Sequence, residues 1–171
     1  MALLTVSAVA CNDNKKARNY NEKTLADDHA ITFIKQGIEA GLTEVKAGSV
    51  AQSQSKNPRV VNYAKMMIAD HTSMGKELKD IANDKDVPTK DASDTLSVEH
   101  QQMVGGLSKL TGPAFDKAYM QMMVADHGKV IELFRGATKG RNKAVNDFAI
   151  KNLPKLLVHL DSAKAITASL K

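Results

Sequence analysis

The sequence predicts an all-α protein: a ferritin-like four-helix bundle with a long crossover that carries a short extra helix. Three observations predict it. Apolar and small residues recur at alternating steps of four and three in four long segments, the spacing of a single helical face. Those segments form two pairs, each joined by a short polar break, with about thirty residues between the pairs. Aromatics are only 4%, Trp is absent and Gly and Pro are sparse, a composition that argues against a β-sandwich. At 171 residues the chain suits one domain with a single sizeable core.

Taken in order, residues 1–11 form an apolar run that ends in small residues at Cys11 and turns polar at once with Asn12, Asp13, Asn14 and Lys15. Ala8-Val9-Ala10-Cys11 resembles a lipobox, so Cys11 is expected to become the lipid-bearing N-terminus of a bacterial lipoprotein. The competing reading is a frayed apolar end with an incidental cysteine. Residues 12–25 then act as a polar tether, and the bundle occupies 26–171. A single cysteine cannot close an internal disulfide.

Asp27 and Asp28 offer caps for a first helix running to about Gln54. Its seam is Ala30, Ile34, Gly37, Gly41, Glu44, Gly48, Ala51. Asn57 caps a second helix with Pro58 in its first turn, reaching to about Asn83; its seam is Val60, Ala64, Met67, His71, Met74, Leu78, Ile81. Residues 92–110 read as a short helix inside the crossover, interrupted at Gly105-Gly106. After Thr111-Gly112-Pro113 a third long helix runs from Ala114 to about Thr138, and Gly140 ends it. The last runs from about Asn142 to Leu170, with a kink expected at Pro154. Its seam is Val145, Ala149, Asn152, Leu156, His159, Ala163, Ile166, Leu170. Met66-Met67-Ile68-Ala69-Asp70-His71 recurs as Met122-Met123-Val124-Ala125-Asp126-His127, which predicts pseudo-equivalent places for the second and third long helices.

Four ionisable residues, Glu44, His71, His127 and His159, stand on these seams, where each faces a partner helix and needs a partner of its own. At ~1.5 Å rise per residue, Glu44 and His71 differ in height by ~6 Å across their turn, and His127 and His159 by ~10 Å across theirs. All four therefore fall in the middle of the bundle. Imidazole with carboxylate suits Fe, Mn, Zn or Cu. Asp70 and Asp126 are placed to accept the second ring N–H of a histidine on a neighbouring helix, and Met67 and Met123 add a thioether that would suit Cu(I). The alternative is a satisfied polar network among methionine core filler. One carboxylate and no Glu-x-x-His pair speak against oxygen-activating di-iron chemistry. His29 and His100 read as surface histidines.

With these elements placed, the chain resembles the bacterial envelope proteins catalogued as domain of unknown function 4142. The resemblance rests on Glu44-Val45, on Asn57-Pro58 with Ala64 and Met67 to His71, on Phe115-Asp116 with Tyr119 and His127, and on Phe148-Ala149 with Leu153-Pro154 and His159. It implies a secreted or lipid-anchored helical domain, periplasmic or at the outer membrane, and no particular reaction. The sequence holds no nucleophile set, no phosphate loop and no basic–aromatic surface. Although the net charge is +5, lysines such as Lys46, Lys65, Lys129 and Lys151 are interleaved with acids, so no nucleic-acid partner is expected. The expected function is a non-catalytic envelope domain, membrane-attached through Cys11, whose core binds a transition metal. A metal-free interaction module and a ferritin-type oxidation or storage protein are the alternatives.

Overall fold

The first helix, α1 (Asp28–Gln54), starts where Asp27 accepts a hydrogen bond from the Ala30 N–H at 2.8 Å. It stops at Ser55, which turns extended while its N–H still reaches Ala51 O. Asn57 caps α2 (Pro58–Asp84) by accepting from Arg59 N, with Pro58 at the start where its missing N–H costs nothing. These bounds come from a computed structural model that describes residues 27–85 and 95–170. The lipid site expected at Cys11, the tether 12–25 and part of the crossover lie outside the described residues.

The crossover helix α3 (Val98–Leu107) is shorter than expected at its start and more continuous at its end. Ser97 caps it, and residues 95–97 are not helical, so a beginning at Ala92 is not observed. The pair Gly105-Gly106 lies inside α3, because two glycines near a helix end weaken it without removing any hydrogen-bonding group. Helix α4 (Gly112–Ala137) begins at Gly112, whose φ of 57° is in the left-handed region that favours glycine. Helix α5 (Lys143–Ser169), capped by Asn142, runs unbroken through Pro154.

Side-chain contacts fix how the helices run. Phe33, early in α1, meets Phe134, late in α4, at 5.0 Å between ring centroids, so these helices are antiparallel. Glu77, late in α2, pairs at 2.9 Å with Lys151, early in α5, while Arg59 at the start of α2 reaches Ser169 at the end of α5. Helices α2 and α4 therefore run the same way, and the connection between them must travel the length of the bundle. Small residues bring α1 against α2. A Cβ on Gly48 would lie 3.2 Å from Ala64 O, and one on Gly37 only 2.8 Å from Leu78 Cδ2.

The core divides into two apolar clusters. One gathers Phe33, Ile34, Leu78, Phe134, Phe148 and Leu156. The other gathers Val60, Tyr63, Met67, Phe115, Tyr119 and Met123. Glu44, His71, His127 and His159 form a buried polar layer within the same bundle, none more than 5% exposed.

Candidate metal centre

Each long helix contributes one residue to this layer because each seam brings one polar side chain inward among small or apolar neighbours. The three imidazoles form a near-equilateral triangle, with ring centroids 5.6, 5.4 and 5.4 Å apart. One nitrogen from each lies within 4.8 Å of the others. Helix rise alone separates His127 and His159 by more, but the side chains lean together: His127 Nε2 is 3.3 Å from His159 Nδ1.

The partners of these two rings assign their protons. His127 Nδ1 is 2.9 Å from Met123 O, a carbonyl that can only accept, so Nδ1 carries the hydrogen. His159 Nε2 is 2.8 Å from Asp70 Oδ2, and Asp70 also takes a hydrogen bond from Lys155 Nζ at 2.8 Å. Burial pushes the Asp70 carboxyl up, but the bonds from Lys155 and His159 outweigh it and hold it below its usual range, so Asp70 accepts as a carboxylate. The nitrogens left to face each other, His127 Nε2 and His159 Nδ1, then both present lone pairs. Burial pushes His159 down to about 4 and lowers His127 despite the pull of Glu44, so neither ring holds an extra proton at neutral pH.

Glu44 abuts the triangle from α1. Its Oε2 is 2.5 Å from His71 Nε2 and its Oε1 is 3.2 Å from His127 Nδ1. Neither contact has the alignment of a hydrogen bond: both Glu44 oxygens and His71 Nε2 are buried without a hydrogen-bond partner, as is Tyr119 Oη. Burial drives the Glu44 carboxyl up, but the neighbouring imidazoles, His71 first and then His127, outweigh it and hold Glu44 below its ordinary value. The layer thus combines an ionised carboxylate with converging lone pairs, and a cation would satisfy both.

Of the expected supporting residues, Asp70 does what the spacing suggested and fixes a histidine on a neighbouring helix. Asp126 does not. It is 8% exposed, its Oδ2 has no hydrogen-bond partner, and burial and then Glu44 raise its carboxyl above the usual value. The reason lies in the repeat. Asp70 on α2 faces His159 on α5, whereas the corresponding neighbour of Asp126, on α1, is Glu44, which cannot donate. Met67 and Met123 are fully buried in the apolar cluster with Tyr63 and Tyr119, and Met123 reaches His127 through its main-chain oxygen.

His29 is exposed, as expected. His100 is not simply a surface residue: its Nδ1 is 2.9 Å from Glu39 Oε1, which also accepts from Ser97 N at 2.8 Å and so ties the start of α3 to α1. Glu39 and Lys155 were not legible as contributors, because their partners are distant in sequence and neither stands on a seam.

A family model, described as domain of unknown function DUF4142, matches residues 15–166. No curated protein matches the chain. Among solved structures, the crystal structure of a DUF305 fragment from Deinococcus radiodurans superposes with a TM-score of 0.75 at 13% identity, covering 85% of this chain and 99% of that one. That likeness concerns the fold. Among the described residues, no helix is long and apolar enough to cross a membrane.

Proposed function

The chain belongs to the DUF4142 family, and since that family carries no assigned reaction we propose from the site itself that the domain binds one transition-metal ion through His71, His127 and His159. The observation that carries this reading is the pair of facing lone pairs, His127 Nε2 and His159 Nδ1, 3.3 Å apart. Two nitrogens ~2.0–2.1 Å from a tetrahedral ion are themselves ~3.3–3.4 Å apart, so the two rings already stand at ligand spacing. Three imidazoles suit Zn2+, Cu2+ or Fe2+ and leave a fourth position for water or another small ligand. Glu44, whose oxygens lie 2.5 Å from His71 and 3.2 Å from His127, balances the charge of the ion, and Asp70 orients His159 from outside. With a single carboxylate against the imidazoles, binding rather than di-iron oxidation is the function.

The 2.5 Å approach of His71 to Glu44 favours one competing reading, in which a proton rather than a metal completes the layer and the cluster only sets bundle register. Metal analysis of protein purified without chelator separates the two. About one equivalent of metal is expected for the wild type and none for His127→Ala. A wild-type protein that holds no metal at neutral pH, even after incubation with Zn2+ or Cu2+, would sink the metal reading in favour of the proton.

We place this domain in the bacterial envelope, tethered by lipid on Cys11, on the support of the Ala8-Val9-Ala10-Cys11 segment. In bacteria fed labelled palmitate, the wild type should incorporate label and Cys11→Ser should not. Equal labelling of the two would remove the anchor.

A further inference from the structure

Beside the polar layer, a cleft of about 320 Å³ opens to the surface between α1, α3 and α4. Its walls include Glu39, His100, Asp126 and Lys129, and Glu44 lies at its inner end. Glu44 is 1% exposed and at the same time touches His71 and His127, so the cleft and the imidazole triangle share this one carboxylate. Asp126 lines the cleft with an oxygen that has no hydrogen-bond partner, although the residue is only 8% exposed. A buried, unpartnered carboxylate is costly and persists in few places without a task. On the opposite side of the layer Asp70 is already engaged by Lys155 and His159. Of these two carboxylates, Asp126 is the one with an oxygen free to take an arriving ion.

We propose that this cleft is the loading port of the metal centre: a hydrated divalent cation is drawn in past Glu39, exchanges water for carboxylate at Asp126 and Glu44, and passes from Glu44 to the three imidazoles. The proposal rests on the metal reading above and adds the path and the order of ligands. Oxygen donors suit the hydrated ion at the mouth, and imidazole nitrogen holds it more tightly within, so affinity rises along the path. A cleft with low-dielectric walls focuses the carboxylate field on an approaching cation. Lys129, exposed at the rim, opposes that field. The Glu39–His100–Ser97 contacts hold α3 along this opening.

Stopped-flow absorbance with Co2+ as the probe tests the port separately from the site. Asp126→Asn should slow association about tenfold and slow dissociation by a similar factor, leaving Kd within about threefold of wild type, because a port residue eases passage in both directions. Asp126→Glu should load at close to the wild-type rate. Lys129→Glu, an exposed change that leaves the core untouched, should speed loading about threefold, and higher salt should slow the wild type. Asp147→Asn, on the far surface, should change nothing. If the wild type takes up no Co2+, the metal reading itself falls. If it does, but Asp126→Asn and Lys129→Glu both load at the wild-type rate, the port is wrong and the site stands. An Asp126→Asn variant with weakened Kd and an unchanged association rate would make Asp126 a ligand and would also overturn the port. Should Asp126→Asn not fold, the direction of the Lys129→Glu effect decides.

Discussion

Zn2+ added to the metal-free protein should raise its melting temperature by roughly 8–16 °C when free metal stands about a thousandfold above Kd. The size follows from linkage. A ligand that binds only the folded state at that excess stabilises by about 4 kcal/mol, and a chain of this length shifts by about 2–4 °C per kcal/mol. Folding aligns the donors: Glu44, His71, His127 and His159 come from four helices and have no common point in the unfolded chain. His127→Ala should abolish the shift, since it removes one of the two nitrogens that already stand 3.3 Å apart. Differential scanning fluorimetry with and without chelator makes the measurement. Equal melting temperatures for apo and Zn2+-saturated wild type would leave the cluster a purely structural layer.

The metal-free protein should also be acid-labile over a defined window. His159 is depressed in the folded state to about 4 from an ordinary value of 6.5, and His127 is depressed as well. A histidine depressed on folding contributes stability above its unfolded pKa, and that contribution drains away as pH falls toward the folded pKa. Loss should therefore begin near pH 6.5 and continue toward pH 4. Glu44, held below its ordinary 4.5, works in the same direction at the acid end, because its contribution is present above 4.5 and lost below. For His159 alone the swing is on the order of 2 kcal/mol, given that its outer nitrogen meets the partly exposed Asp70. Urea midpoints at pH 7 and pH 4.5 would show it, with His159→Gln flattening the profile. A pH-independent midpoint in the apo wild type would mean that these rings are not held neutral.

Much of the fold was legible because helix faces are local. The seams of α1, α2 and α5 were read from step spacing, and nearly every residue named on them is buried; Gly37, Ile81 and Leu170 are partly covered. The caps at Asp27 and Asn57 were legible for the same reason: each bonds a main-chain N–H within three residues. The crossover was harder. A weak helix with two glycines has no strong seam, and its start depends on Glu39, far away on α1, holding Ser97 and His100.

The candidate site divides along the same line. Spacing on each helix was enough to nominate Glu44, His71, His127 and His159, since a polar group on a buried seam is visible in one dimension. Spacing also suggested that Asp70 and Asp126 were equivalent, and there the repeat misled, because the partner of each aspartate is supplied by a different helix. Only the packed structure puts His159 against Asp70 and Glu44 near Asp126.

The sequence by itself determined which residues face inward, where the long helices begin and end, and that one polar residue on each of four helices shares a central level. Those properties follow from helical periodicity and capping, which depend on neighbours a few residues apart. The tertiary structure alone decided which nitrogens confront one another, which ring each proton sits on, and that a cleft leads inward to Glu44. Those depend on side-chain directions across helix interfaces, because the partner met by each ring's other nitrogen decides whether two facing nitrogens share a hydrogen or present two lone pairs.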